Sequence, residues 1–249
     1  MSADAGRSRS RHGAARQAAS SAPRSLVLPV MGLALGLALA VLGFPRLMAA
    51  LHAMPAGATL QKLDRADRTL TPGELLGARE ALRLSLLWEK NAGTSIDLAR
   101  VSLALAAREF QAGGDPQALI DETITAARDG LAIAPARARS WLLLAEATLA
   151  RSGDPGAMTG YLMESLRASP HDVWLAPHRA ELGLQAWPWL EPPARAAIDE
   201  QIRLTASRSI ERLVDIALRI GDPTQVREAL AQDRDMLRRF DVLYLRRRG

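Results

Sequence analysis

The sequence contains no cysteine and only 4 histidines. Without cysteine there are neither disulfide bonds nor thiolate metal sites, so packing has to stabilise any folded part. The same absence is compatible with every redox compartment and does not indicate where the protein works. Lysine is scarce as well, since only Lys62 and Lys90 stand among the 32 basic residues. Together with frequent alanine, this usage is typical of a GC-rich bacterial genome.

Recognisable catalytic motifs are also missing. No stretch has the spacing of a zinc-protease helix, a phosphate loop, a dinucleotide loop or a nucleophile elbow. His171 and His178 lie seven residues apart and could share a helix face, but no carboxylate at the right spacing completes a metal site. Glu164-Ser165 resembles the "ES" pair of lytic transglycosylases without their glycine-rich continuation. We therefore expect a protein that is not an enzyme and has no metal and no cofactor.

The basic charge is confined to the N-terminal part. Residues 1–52 carry six arginines against Asp4, a net charge of +5, which equals the net charge of the whole chain. Residues 53–249 are therefore neutral overall and present no general basic field to phosphates. We expect no nucleic acid partner, and the N-terminal excess needs another explanation.

That explanation is an apolar segment. Residues 25–45, "SLVLPVMGLALGLALAVLGFP", carry no charge, and as a helix they would span roughly 30 Å, the thickness of a bilayer's hydrocarbon core. Five arginines lie within the 24 residues before this segment, whereas residues 46–64 after it contain only Arg46 and Lys62 as basic residues, which favours a cytoplasmic N-terminus. We predict a disordered Arg-rich cytoplasmic arm (1–24), a transmembrane anchor (25–52) in the bacterial inner membrane and a periplasmic remainder.

Two alternatives concern this segment. A cleaved signal peptide would have a shorter apolar region, and its best cleavage site, "AMPA" ending at Ala56, is a poor one. Gly32 and Gly36 fit the small-xxx-small pattern that packs membrane helices closely and would support a homodimer. Glycine is common in such spans, so their spacing is also compatible with chance.

After a linker (53–70), apolar residues recur at helical spacing throughout residues 71–249. The triplet "GDP" occurs at residues 114–116, 153–155 and 221–223. In each one, the glycine can end a helix in the left-handed conformation, the aspartate can cap the next helix, and the proline suits its first turn. Further caps are expected at Thr71, Thr94 and Ser169. The predicted helices cover residues 72–90, 95–112, 116–133, 136–152, 155–168, 170–186, 193–220 and 223–240, with a frayed end after them.

The triplets are 39 and 68 residues apart, and 68 is twice 34. A period near 34 with two helices per unit is typical of tetratricopeptide repeats. The stretch "WLLLAEATLARSGDPGAMTGYLMESLRASP" resembles that family, with Trp141, Leu144, Ala145, Ala157, Tyr161 and Pro170 at the family's spacing and with departures at Thr148 and Glu164. The resemblance covers about residues 94–189. It implies an all-α fold, a tetratricopeptide-like helical-hairpin solenoid preceded by a single transmembrane helix, with a generic helical bundle as the alternative.

The resemblance implies a protein–protein interaction scaffold. The expected inner positions, Leu142 and Glu146, lack the basic clamp with which such domains grip a C-terminal carboxylate. We therefore expect an envelope protein partner to be bound by residues of the third unit, namely His171, Trp174, His178, Arg179, Trp187 and Trp189, and expect replacement of Arg179 or Trp189 to spare stability. For Trp174, Trp187 and Trp189, plain packing is the competing interpretation.

The region after the best unit also resembles short anchored repeat proteins encoded beside bacterial envelope-polysaccharide genes. This likeness rests on Trp174 and on the "RAEL" and "QIR" stretches. It implies assembly or export of an envelope polysaccharide as the context. The alternative from another class is a glycan-binding or glycan-cleaving envelope protein, favoured if Trp187 and Trp189 flank a carboxylate-lined cleft.

Overall fold

The computed structural model describes residues 24–65, 67 and 69–248. The predicted disordered arm, apart from Arg24, lies outside them. The described residues contain α-helices and one 3-10 turn, Trp187–Trp189, and no strand, which confirms the all-α prediction at this level. The helices are α1 (Arg24–Ala53), α2 (Ala56–Asp64), α3 (Pro72–Trp88), α4 (Ala92–Gln111), α5 (Gln117–Ile133), α6 (Ala138–Ser152), α7 (Pro155–Ala168), α8 (Ala176–Gln185), α9 (Pro192–Arg208), α10 (Ile210–Ile220), α11 (Thr224–Leu230) and α12 (Arg234–Arg248).

The chain divides into two compact units between Met48 and Ala49. The first holds most of α1, of which Pro29–Ala53 is long and apolar enough to cross a membrane. Its large apolar side chains are exposed, and a Cβ added at Gly32 or Gly36 would meet open space. Homodimerisation through these glycines stays a prediction.

The second unit begins earlier than the sequence suggests. Ala49, at the end of α1, is buried, and so is Ala56 in the segment interpreted as a linker. Residues 56–64 form α2, whose apolar side contributes to the same core cluster as α3 and α4. The linker interpretation of 53–70 is therefore wrong for this stretch, because its small and apolar residues pack instead of remaining solvated.

The second unit is built from helices that pack against their neighbours in the chain. α4 pairs with α5, α6 with α7 and α8 with α9, while α4 also touches α6 and α8 touches α10. The core consists of two clusters that share Tyr161 at their margin. Trp141 stacks on Tyr161 and donates its indole N–H to the Pro135 carbonyl at 3.0 Å. Trp141 therefore packs against the core.

Several predicted boundaries are wrong in the C-terminal half. Residues 170–175 form turns before α8, and the predicted helix 193–220 is broken at Ser209, whose hydroxyl accepts the Arg212 N–H and caps α10. The predicted helix 223–240 is α11 followed by α12. The expected fraying is wrong too, because Phe240 and Tyr244 anchor α12 in the core and the helix continues to Arg248.

The three "GDP" corners form at the predicted places, but only the second has the predicted arrangement, with Asp154 at the N-cap and proline at the first helical position. In the first and third corners Pro116 and Pro223 take the N-cap position, so α5 and α11 begin one residue later than predicted. Gly153 and Gly221 adopt left-handed φ values of 66° and 83°, but in the first corner the left-handed residue is Gly113 rather than Gly114 of the triplet. Each aspartate accepts the backbone N–H two residues later at 2.8–3.0 Å. A fourth corner without the triplet precedes α9, where Glu191 takes the N-cap position and proline follows at the first helical position. It divides the 68-residue gap between the second and third triplets.

Of the other three predicted caps, one is confirmed and two are wrong. Thr71 and Glu74 form the expected capping box at the start of α3. The predictions for Thr94 and Ser169 are wrong. Asn91 caps α4 one turn earlier, by accepting the N–H groups of Gly93 and Thr94. Ser169 lies instead at the C-terminal end of α7.

The corner between α6 and α7 gives a direct test of this geometry. Gly153→Val places a β-branched residue at positive φ and should destabilise the protein by about 2 kcal/mol. Asp154→Ala removes only the cap to Gly156 and should destabilise it by about 1 kcal/mol. Chemical denaturation of the two variants measures both. Equal effects would contradict the left-handed corner.

Candidate functional site

The second unit contains a cleft of about 690 Å³. It is lined by the end of α2, by α4 and α6, and by Asp172, Trp174 and His178 from the turns before α8 and from α8 itself. α4, α6 and α8 are each the first helix of one of the three helix pairs. The cleft therefore follows the side of the domain where α4 and α6 touch.

The cleft-lining residues of α4 lie on one face of that helix, and so do those of α6. Arg100, Leu103, Ala104 and Ala107 on α4, and Arg139, Leu142, Leu143 and Glu146 on α6, follow the three- and four-residue spacing of one helix face. The resulting floor is apolar, with charged groups distributed along it. Such a surface suits an extended chain that offers both apolar and charged side chains.

Arg139 is a charged group of the cleft that forms no direct pair with another described side chain. Its side chain is half-buried, and no residue among those described forms a hydrogen bond or ion pair with it. Burial lowers the pKa of this guanidinium and the neighbouring Arg100 charge lowers it further, while the carboxylates of Asp64, Asp172 and Glu146 act in the opposite direction. A half-buried guanidinium without a hydrogen-bond partner suits a ligand group that accepts hydrogen bonds.

The acidic groups of the cleft are already engaged. Asp64 forms an ion pair with Arg100, which also binds Asp97. The Asp172 carboxylate accepts the Trp174 N–H at 2.9 Å and so fixes the turn before α8. Arg100 is thus engaged by two carboxylates, whereas Arg139 lines the cleft without an ion pair.

His178 and Glu146 connect the cleft to a second, smaller cavity of about 250 Å³, because both residues line both spaces. His178 Nδ1 lies 2.9 Å from Glu146 Oε1. This hydrogen bond and the carboxylate charge raise the pKa of His178 above its ordinary value of 6.5. The His178–Glu146 pair thus joins α6 to α8 along the lining of the cleft.

Replacing Glu146 by Gln should return the pKa of His178 toward 6.5, because the charge that favours the imidazolium is lost. A raised folded-state pKa stabilises the protein below about pH 6.5, and this stabilisation disappears as the pH rises through the folded-state value. The effect on unfolding is small since His178 is half-exposed, so NMR titration of the imidazole is the suitable measurement. The resonances of His171 should be unchanged, and an unaltered His178 titration would contradict the pair.

The predicted binding residues are only partly brought together. Trp174 is 67% exposed and lines the cleft, with the Arg208 guanidinium 3.4 Å from its ring centroid. His178 lines the cleft as well. His171 is exposed but lies in the turns before α8, so it does not share a helix face with His178, and it lines neither cavity.

The two tryptophans of "WPWLEPP" lie away from both cavities. Trp189 is exposed and packs against Gly156, while Trp187 is half-buried against the core with Arg195 over its ring. Trp189 is therefore the exposed indole of the two. They do not flank the cleft, and their binding role stays a prediction.

Arg179 is the predicted site residue that the structure corrects. It is 0% exposed, so it cannot contact a partner in this structure. Its guanidinium donates to the carbonyl oxygens of Ser165 at 2.6 Å and Ser169 at 2.7 Å, at the C-terminal end of α7. The sequence contained the relevant signal, because Arg179 follows Leu175 by four residues and precedes Leu182 by three, and both leucines are buried.

Arg100 and Arg139 are the cleft residues that the sequence analysis missed. Arg139 precedes the expected inner positions Leu142 and Glu146 by three and seven residues and therefore shares their helix face. The Glu164-Ser165 pair is not part of the cleft. Glu164 pairs with Arg167, and the buried Ser165 hydroxyl donates to the Ala138 carbonyl.

Comparisons with known proteins add no further assignment: no protein-family model matches the chain, and no curated protein matches it significantly.

Proposed function

We propose that this protein is a membrane-anchored interaction scaffold whose tetratricopeptide-like domain holds a segment of an envelope protein in the cleft. In this proposal, α1 crosses the bacterial inner membrane with the N-terminus in the cytoplasm, and the helical domain lies in the periplasm. Assembly or export of an envelope polysaccharide is the context that the sequence resemblance suggests.

The observation that carries the proposal is Arg139 in the cleft. Leaving a guanidinium half-buried and unpaired is unfavourable, and an acidic group of a bound segment would offset that penalty. The exposed indole of Trp174 lines the same cleft. Arginine and tryptophan are the residue types that most often dominate the binding energy of protein interfaces.

The repeat-like assignment is supported by the order of the helices. Three consecutive pairs and the contacts between α4 and α6 and between α8 and α10 are what a stack of hairpins requires. The corners from α4/α5 to α10/α11 stand at Asp115, Asp154, Glu191 and Asp222. Their spacings of about 31–39 residues scatter around the family's period.

The anchor is supported by two observations. A helix that exposes many large apolar side chains requires lipid or protein around it. Cleavage after Ala56 would also remove Ala49 and Ala53, which belong to or pack against the core of the second unit. An uncleaved anchor keeps these contacts.

A glycan ligand is the second candidate, and the exposed Trp174 is the observation in its favour. Aromatic rings bind sugars through their faces, but Arg208 already lies over the Trp174 ring. A hydrolytic site would need two carboxylates converging on the ligand, whereas Asp64 and Glu146 are each bound to a basic side chain. The protein scaffold is therefore the better supported proposal.

Replacement of Arg139 by Gln tests the proposal. The full-length variant, purified from membranes, should lose its captured envelope protein while its thermal stability stays nearly unchanged, because Arg139 bonds to none of the described residues. Arg238→Gln is the matched control, since Arg238 is well exposed on α12 and away from the cleft. Retention of every captured protein by Arg139→Gln would contradict the cleft as the binding site. Loss of a bound polysaccharide alone would favour the glycan candidate.

A further inference from the structure

The end of α2 places a carboxylate of the chain itself in the cleft. Asp64, the last residue of α2, lines the cleft and forms an ion pair with the Arg100 guanidinium. The two side chains are unequally buried, since that of Arg100 is 14% exposed and that of Asp64 is 57% exposed. Exposed ion pairs contribute little free energy, because water competes for the carboxylate and holding the side chain costs entropy. Asp64 is therefore a weakly held occupant of this end of the cleft.

Asp64 is not needed to hold Arg100 in place. Arg100 Nη1 donates to Asp97 Oδ1 at 3.2 Å, and Asp97 lies three residues earlier on the same helix. Arg100 Nη2 donates to Asp64 Oδ1. If the Asp64 side chain rotates into solvent, Asp97 still fixes the guanidinium, and the Nη2 group can donate to a different carboxylate.

Arg139 makes the same place favourable for a carboxylate from another molecule. Burial and the Arg100 charge lower the pKa of Arg139, whereas the Asp64 charge raises it, so the three groups are close enough to interact. Asp64 bonds to Arg100, but no described residue forms a hydrogen bond or ion pair with Arg139. A carboxylate on an extended segment in the cleft is free to contact both guanidinium groups, and charge-assisted hydrogen bonds are roughly twice as strong as neutral ones. It would thus gain a partner that Asp64 does not use.

The rest of α2 is fixed independently of the ion pair at its end. Ala56 is buried in the core cluster that also contains residues of α3 and α4. Lys62 Nζ lies 2.5 Å from Glu74 Oε1 in the first turn of α3. The exchange of carboxylates therefore requires rotation of one side chain and no movement of a helix.

We propose that Arg100 and Arg139 form a subsite for an acidic side chain of the bound segment, and that Asp64 occupies it as an internal competitor in the unbound protein. The proposal rests on the proposed function, because the subsite belongs to the cleft that holds the segment. It adds the chemical class of the residue that the cleft selects, an aspartate or glutamate, and a contact within the chain that weakens binding. Segments without an acidic residue at this point would not displace Asp64 and would bind less tightly.

Fluorescence anisotropy with a defined acidic peptide tests the proposal. The probe is a short labelled peptide of alternating alanine and glutamate with an amidated C-terminus, so that it offers only side-chain carboxylates. The full-length protein in nanodiscs of zwitterionic phosphatidylcholine would be titrated into it. Asp64→Asn is the test variant. Asp121→Asn is the matched control, because Asp121 forms an ion pair with Arg151, is similarly exposed at 54% and does not line the cleft.

Asp64→Asn should bind the peptide about two- to five-fold more tightly than the wild type, because an exposed ion pair holds a competitor only weakly. Asp121→Asn should bind like the wild type, and a peptide with glutamine in place of glutamate should bind every variant more weakly. An unchanged or lower affinity of Asp64→Asn would overturn the internal competition. Absence of measurable binding to the wild type and to Asp64→Asn would overturn the subsite.

Arg139→Gln in the same assay separates this proposal from the proposed function. If Arg139→Gln abolishes binding while Asp64→Asn equals the wild type, the cleft remains the binding site and only the competition by Asp64 is refuted. If Arg139→Gln binds the peptide as tightly as the wild type, the subsite and the cleft are refuted together. Adding Arg100→Gln to Asp64→Asn should remove the gain in affinity, since the peptide and Asp64 compete for Arg100.

Discussion

Arg179→Ala should destabilise the protein by about 3–5 kcal/mol, because it removes hydrogen bonds from a charged group and opens a cavity where a fully buried side chain stood. The lost bonds are those to the Ser165 and Ser169 carbonyls and to the Ser165 hydroxyl. These carbonyls lie at the C-terminal end of α7, where a positive charge is favourable, and each also accepts a long backbone hydrogen bond of 3.4 Å, from Ser169 and Asp172 respectively. Arg179 thus joins α8 to the end of α7. Denaturant unfolding of the second unit measures the loss.

Two further variants separate the role of the guanidinium from that of its charge. Burial lowers the pKa of Arg179 to about 10, so the group is charged at neutral pH. Arg179→Lys keeps a positive charge but not the planar guanidinium. Its free energy of unfolding should therefore lie between those of the wild type and Arg179→Ala. Arg167→Ala, at an exposed position on α7, should change the free energy of unfolding by less than about 0.5 kcal/mol. A neutral effect of Arg179→Ala would show that the side chain lies on the surface.

Gly183→Val should destabilise the protein by about 3 kcal/mol through overpacking between α8 and α9. A Cβ at Gly183 would lie 2.6 Å from Ile198 Cγ1 and 2.7 Å from Cγ2, and Ile198 is fully buried. These atoms lie close to the backbone of α9, so they cannot swing away without moving the helix. Thermal or denaturant unfolding measures the effect.

A double-mutant cycle with Ile198→Ala identifies the cause. Ile198→Ala alone should destabilise the protein by about 2–5 kcal/mol, but it also frees the space that the larger side chain of Gly183→Val would need. The double variant should therefore be more stable than the sum of the single effects predicts. Gly160→Val is the control, because a Cβ there meets open space on an exposed face of α7. Strict additivity of Gly183→Val and Ile198→Ala would contradict the close helix contact.

The helices that the sequence predicted best are those with complete local signals. α3 has its capping box, and α7 has a left-handed glycine before it, an aspartate cap and a proline in the first turn. These signals act within four or five residues, so no tertiary information is needed. The corner at Glu191 was missed as a unit boundary because glutamate replaces the aspartate and makes no side-chain cap.

The failures came from residues whose role depends on distant partners. The sequence predicts a linker where α2 lies, because its nine residues have mixed polarity. Only the burial of Ala56 and Thr59 in the folded core distinguishes this segment as a helix. Arg179 was interpreted as a surface contact because arginine is rarely buried, and only the end of α7 explains its position. Arg139 is a further example, because only the folded structure shows that this arginine lines the cleft without an ion pair.

Photocrosslinking in living cells tests the scaffold proposal most directly. A benzophenone amino acid would replace Trp174 in the cleft or, as the control, Phe110, which is equally aromatic and 73% exposed but outside the cleft. The account predicts a protein adduct at position 174 that Arg139→Gln abolishes and that position 110 does not give. Identical adducts at both positions, or an adduct at 174 that is polysaccharide rather than protein, would contradict it.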